Sequence, residues 1–133
     1  MRLSFSMRGW SDYSWDQLVD LAVEMDFRGI ELYNPLVDDA LIGKGAPLDT
    51  YNVRSTVRGL HAKKLSIPAI DTSLDISESG EHAGQVCELI DLAASVSCPY
   101  VCVKAQTEDE DAVRATISAA LPHAKEKGII LLV

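Results

Sequence analysis

Apolar residues recur along this chain in two rhythms that take turns. Leu3, Phe5 and Met7 alternate with Ser4 and Ser6, a period of two that predicts a first strand over residues 2–7. Ser14-Trp15-Asp16-Gln17 then reads as a capping box, in which the Ser hydroxyl and the Gln amide satisfy each other's backbone amides. Leu18, Leu21, Ala22 and Met25 follow at helical spacing and predict a helix over residues 15–25. Gly29 is expected to turn the chain out of that helix. Ile30, Leu32 and Tyr33 then predict a second strand, residues 30–33, of the short apolar kind buried in parallel sheets.

The alternation continues. Residues 34–49 carry Pro35, Pro47 and Gly43-Lys44-Gly45 and read as a mobile loop. A lone Gly-Lys-Gly, with no Walker spacing and no strand directly before it, does not make a phosphate site. Asp49 or Thr50 is expected to cap the next helix, with Val53, Val57, Leu60 and Ala62 inward and Arg54, Arg58, Lys63 and Lys64 on its solvated face. Residues 66–70 predict a third strand ending in Asp71-Thr72-Ser73, and Pro68, which has no amide donor, suits an edge or strand-start position. Val86, Leu89, Ile90 and Ala93 mark a helix over residues 81–96, and residues 100–103 a fourth strand. Thr107-Glu108-Asp109-Glu110 reads as a second capping box, its acidic turn suited to the helix dipole. Val113, Thr116, Ile117 and Ala120 continue that helix, Pro122 is expected to kink or restart it, and Gly128 to end it. Residues 129–133 predict a fifth strand.

Five strands alternating with four helices predict an α/β fold with a mainly parallel sheet and right-handed crossovers. Two architectures fit. One is a flavodoxin-like open sheet of strand order 2-1-3-4-5. The other is a partial (β/α)₈ TIM barrel of order 1-2-3-4-5, for which the chain is about half the usual length. The sequence ends on a bare apolar strand, which reads as a truncation point.

Composition narrows the function classes. The chain has 133 residues, 47% hydrophobic and 24% charged, enough for a single domain over residues 1–133 with a real core. No apolar stretch is long enough to span a bilayer, and the opening apolar run is too short for a secretory signal. A formal net charge of −8 opposes a nucleic-acid surface, which needs clustered Lys and Arg. Cys87, Cys98 and Cys102 lie in apolar segments, and no further Cys or His nearby completes a zinc set. They read as reduced thiols of a cytoplasmic protein.

One carboxylate stands out. Glu31 lies inside the apolar second strand, where an ionised group is costly unless it is paired or bound. It is expected either to pair with a Lys or Arg or to belong to a site. His61, beside cationic residues, and His82, among acids, read as surface residues.

Residues 14–18 (SWDQL) leading into residues 25–32 (MDFRGIEL) resemble the start of the xylose isomerase-like TIM-barrel family of sugar isomerases and epimerases. Residues 60–70 (LHAKKLSIPAI) and 124–132 (AKEKGIILL) resemble its next segments, in order. The resemblance spans the whole chain and the first half of the family's domain. It implies a barrel, and for the complete domain one divalent metal (Mn, Mg, Co or Zn) held by carboxylates and a His on later strands. The first of those ligands is a Glu expected directly after the fifth strand, so no metal ligand, and no cofactor, is assigned to these residues. The related apurinic endonucleases place His at the ends of strands three and four; here Asp71-Thr72 and Lys104 stand there, which argues against DNA repair.

In a barrel the carboxyl ends of the strands face the substrate. The resemblance therefore points to Trp10 after strand one, Glu31, Tyr33 and Asn34 around strand two, Asp71 at strand three, and Lys104 and Gln106 at strand four. Trp10 suits stacking on an apolar sugar face. Lys104 suits neutralising a phosphate, carboxylate or enediolate oxygen, or else a salt bridge with Glu31 or Asp71. The implied function is the amino-terminal part of a metal-dependent sugar or polyol isomerase or epimerase, which supplies substrate contacts and is inactive alone. The chemistry implied is proton transfer beside a carbonyl, or a hydride shift. Two other readings stand beside it: a non-catalytic half-barrel that self-associates or binds a partner, and a flavodoxin-like receiver or binding domain. A half-barrel also leaves two unpaired strand edges and predicts a homo-oligomer through the open barrel edge. Phe5, Ile30, Ile70, Val101 and Ile130 are the apolar residues of the kind such an opening exposes.

Overall fold

The computed structural model describes residues 1–78, 81–106 and 109–133. Strands β1 (Ser4–Ser6), β2 (Gly29–Tyr33), β3 (Ala69–Asp75), β4 (Tyr100–Lys104) and β5 (Ile130–Leu132) form one sheet. Every neighbouring pair is parallel, and the spatial order is β1-β2-β3-β4-β5. That order belongs to a barrel and excludes the flavodoxin-like alternative, in which β1 lies between β2 and β3.

Helices α1 (Trp15–Glu24), α3 (Val53–Ala62), α4 (Ala83–Ser95) and α5 (Glu110–Lys127) connect the strands, with a short α2 (Asp39–Ile42) after β2. They cover one face of the sheet. Ile30, Leu32, Ile70, Val101 and Val103 are buried there against Ala22, Leu60, Ile90 and Ala124. Because strand side chains alternate, the intervening residues point to the other face. Glu31, Tyr33, Asp71, Cys102 and Lys104 are only half-buried there, and Ile130 and Leu132 are 51% and 44% exposed. The exposed large apolar residues on the open face are thus Ile130 and Leu132 of β5 and Tyr100 of β4. Ile30, Ile70 and Val101 lie on the covered face, and Phe5, in register with Ile30, packs against Phe27.

The capping box at Ser14 forms as the pattern predicts: Gln17 N–H donates to Ser14 Oγ at 3.2 Å, and Ser14 N–H to Gln17 Oε1 at 2.8 Å. Asp26, with φ of 58°, makes the turn after α1 instead of Gly29. Gly29 is needed for contact: a Cβ there would lie 2.5 Å from Ser4 Oγ and 3.0 Å from Pro68 Cδ.

Several other expectations are corrected. The connection 34–49 is folded: Pro35–Val37 is a 3₁₀ turn, α2 follows, and Leu41 and Leu48 are buried. Asp49 does not cap α3; its carboxylate accepts from Gly45 and Tyr51 N–H within the loop. Ala62 is exposed at the end of α3. The α5 helix runs through Pro122 unbroken and ends at Gly128 in the left-handed conformation, φ 71°. Thr107 and Glu108 of the second expected capping box lie outside the described residues, while Asp109 caps α5 by accepting from Ala112 N–H at 3.0 Å.

The third strand moves furthest. It starts at Ala69 and runs to Asp75, so Asp71 lies within it and Asp75 at its carboxyl end. Pro68 delays regular pairing to the next residue, leaving only a bridge between Gly29 and Ser66 before it. The strand is central, flanked by β2 and β4, so only the strand-start reading of Pro68 holds.

Candidate functional site

Register brings the polar residues of the open face together. Tyr33 pairs with Asp71, and Asp71 with Cys102, so three neighbouring strands present a phenol, a carboxylate and a thiol in one row. Glu31 lies two residues before Tyr33 on the same face. The Cys102 thiol confirms how close the acids are: burial raises its pKa first, and the charges of Asp71 and Glu31 raise it further. A thiolate beside two carboxylates is disfavoured.

Glu31, Asp71 and Lys104 form no ion pair among the described residues. The salt bridge expected for Lys104 with Glu31 or Asp71, and the Lys or Arg partner expected for Glu31, are therefore absent from the described residues. All three side chains lie on the open side.

The rim around them is built by hydrogen bonds. Asn34, in the left-handed conformation with φ of 46°, ends β2 and reaches across to β3. Its Oδ1 accepts from Ser73 N–H at 2.7 Å, and its Nδ2 donates to Ser73 Oγ at 3.0 Å. Asp75 binds β3 to the segment after β4. Its Oδ1 accepts from Ser77 N–H at 2.9 Å and from the Ser77 hydroxyl, and Gln106 N–H donates to it at 3.3 Å. The Ser77 hydroxyl foremost, against a smaller opposing effect of burial, holds the Asp75 carboxyl below its ordinary range. Gln106 thus joins the rim through its backbone, with its side chain exposed.

Trp10 stands apart. It packs edge-on to Phe5 at 6.0 Å and to Tyr13 at 5.2 Å, in a cluster continuous with the covered face. Two residues at this end escaped the sequence reading. Asp75 follows the same logic as Glu31, a carboxylate between apolar Leu74 and Ile76, hidden because the strand was ended too early. Arg8, two residues after β1, places its guanidinium 5.3 Å from the centre of the Tyr33 ring. A larger cleft of about 750 Å³, between Arg2, Arg28, Lys64 and Tyr100, opens at the amino ends of the strands, away from this rim. Among the described residues, no three His, Cys, Asp or Glu side chains converge as a metal-ligand set. These residues therefore do not fit the divalent metal that the resemblance implies for a complete domain. No helix among the described residues is long and apolar enough to cross a membrane.

No protein-family model matches the chain, and no curated protein matches it. Solved structures do. The probable 3-DHS dehydratase AsbF of Bacillus anthracis, involved in petrobactin synthesis, superposes with a TM-score of 0.75 at 22% identity, over 100% of this chain and 52% of that one. The IolI protein with a bound zinc atom gives 0.74 at 12% identity, over 98% and 50%. An L-ribulose 3-epimerase gives 0.68 at 20% identity, over 98% and 48%. The chain spans about half the length of these structures, and its fold is part of a TIM barrel like theirs.

Proposed function

We propose that this chain forms the substrate-binding first half of a sugar or polyol isomerase or epimerase barrel. The observation that carries the reading is the row of Tyr33, Asp71 and Cys102 across three strands of the open face, with Glu31 two residues before it and Lys104 two residues beyond it on the same face, none of the three charged groups ion-paired among the described residues. Carboxylates so placed accept hydrogen bonds from vicinal hydroxyls, and an ammonium stabilises an oxyanion that develops beside a carbonyl. Tyr33 supplies a ring and a hydroxyl next to Asp71. Asn34, Asp75 and Gln106 shape the rim through their hydrogen bonds, and Trp10 braces its edge. In this reading the metal and the bases lie outside these residues, and the chain alone does not turn over. Its acidic charge disfavours nucleic acid, and its unpaired cysteines suit a reducing cytoplasm.

A second reading, self-association through the open side, draws on exposed Ile130, Leu132 and Val133 on and after β5. Light scattering separates a dimer from a 14.5 kDa monomer.

Saturation-transfer NMR with D-glucitol tests the main reading. The wild-type chain is expected to give a transfer signal, and the Glu31→Gln/Asp71→Asn double variant to lose it with its urea midpoint retained. An undiminished signal in the double variant contradicts the assignment.

A further inference from the structure

We propose that Arg8 is an anion fork at this rim, so that the substrate carries a carboxylate or a phosphate monoester as well as hydroxyls. The inference rests on the binding role proposed above for the open face, and adds to it the charge of the ligand.

Arg8 lies two residues beyond the end of β1, and its backbone N–H donates to Ser6 Oγ at 3.2 Å. Its side chain crosses to the next strand and lies over the Tyr33 ring, 5.3 Å from the centroid. A cation–π contact attracts the guanidinium to the ring without tying its N–H donors to an acceptor. None of them has a carboxylate partner among the described residues. The neighbourhood makes this notable: Arg8 is a cation in a chain of net charge −8, held next to a strand whose register partner is Asp71.

The rim is therefore bipolar. Glu31, in register with Ser6 of β1, and Asp71 on β3 repel an anion from the strand face, while Arg8, beyond the end of β1 and over Tyr33, marks the place where one is tolerated. A ligand with hydroxyls at one end and a negative group at the other fits that division. A planar fork matches the two oxygens of a carboxylate or phosphate, and the Tyr33 ring beside it restricts where the fork lies. A neutral sugar leaves the fork without a partner.

The test is an NMR titration of the 133-residue chain at constant ionic strength with D-gluconate, D-glucose 6-phosphate and D-glucitol. At least one anionic probe is expected to bind about tenfold more tightly than glucitol, the scale of a charge-assisted bidentate contact. Whichever of gluconate and the phosphate binds more tightly identifies the anionic group. Arg8→Ala is expected to bring that probe down to the level of glucitol, and Arg8→Lys to keep part of the preference, since it retains the charge without the fork. Arg8 is exposed, and thermal unfolding by circular dichroism verifies that both variants fold. Equal affinity for all three probes, or an anion preference that survives Arg8→Ala, overturns the inference while the rim still binds polyols. Binding of none of the three overturns it together with the rim reading.

Discussion

Asn34 and Ser73, 39 positions apart, are joined by three hydrogen bonds that tie the carboxyl end of β2 to β3. The Asn34 backbone is left-handed, which Asn adopts more readily than most residues. Asn34→Gly, which keeps that backbone accessible, is expected to cost about 1–2 kcal/mol for the lost side-chain bonds to Ser73. Asn34→Ala is expected to cost about 1–2 kcal/mol more, from the strain of a Cβ in that conformation. Urea midpoints of the two variants measure both parts, and equal losses would remove the strain contribution.

Asp75 gives the fold an acid-sensitive joint. Its folded pKa lies below the ordinary value of 3.8, chiefly through the Ser77 hydroxyl and with help from the Ser77 and Gln106 amides. A carboxyl depressed by folding contributes stability above its unfolded pKa and loses it as pH falls through the folded one. Asp75→Asn should therefore flatten the fall in urea midpoint between neutral pH and the range below 3.8. An unchanged acid limb would show that other carboxylates govern it.

Gly29→Ala tests a steric requirement rather than a conformational one. The added methyl meets Ser4 Oγ and the Pro68 ring at the start of the sheet. A loss of about 1–3 kcal/mol is expected for such overpacking. Ser4→Ala in the same chain should recover part of it, because the closer of the two obstacles is removed. A double variant as unstable as the single one would place the clash at Pro68 alone.

Glu31→Gln should leave stability within about 0.5 kcal/mol of wild type, since no ion pair among the described residues is broken. A drop of about 3–5 kcal/mol would mean a buried charge partner and would take Glu31 out of the site.

The architecture was legible because each strand and helix keeps its own period: Ile30 and Leu32 against Glu31, and Leu18 with Ala22, fall on the faces their spacing predicts. What local pattern alone does not decide is which strands are neighbours, and the resemblance supplied that. The carboxyl end of β3 was missed because Thr72 and Ser73 read as a turn. In the sheet, the Thr72 hydroxyl instead donates to Cys102 O of β4 at 3.2 Å, a partner 30 residues away. Arg8 was missed for a related reason. Its contact with Tyr33 exists only once β1 and β2 lie side by side, and nothing within the local segment announces it. Pro122 misled in the other direction, because packing of Ala120 and Ala124 holds α5 together across the missing amide.

The central claim, that the open face at the carboxyl ends of the strands is where a polyol binds, is tested most directly by mapping backbone amide shifts during a D-glucitol titration. Saturable shifts grouped at Glu31, Tyr33, Asp71 and Lys104 are the predicted result. Shifts grouped instead around Arg2, Arg28 and Lys64 at the opposite end of the strands, or no saturable shift at all, would contradict it.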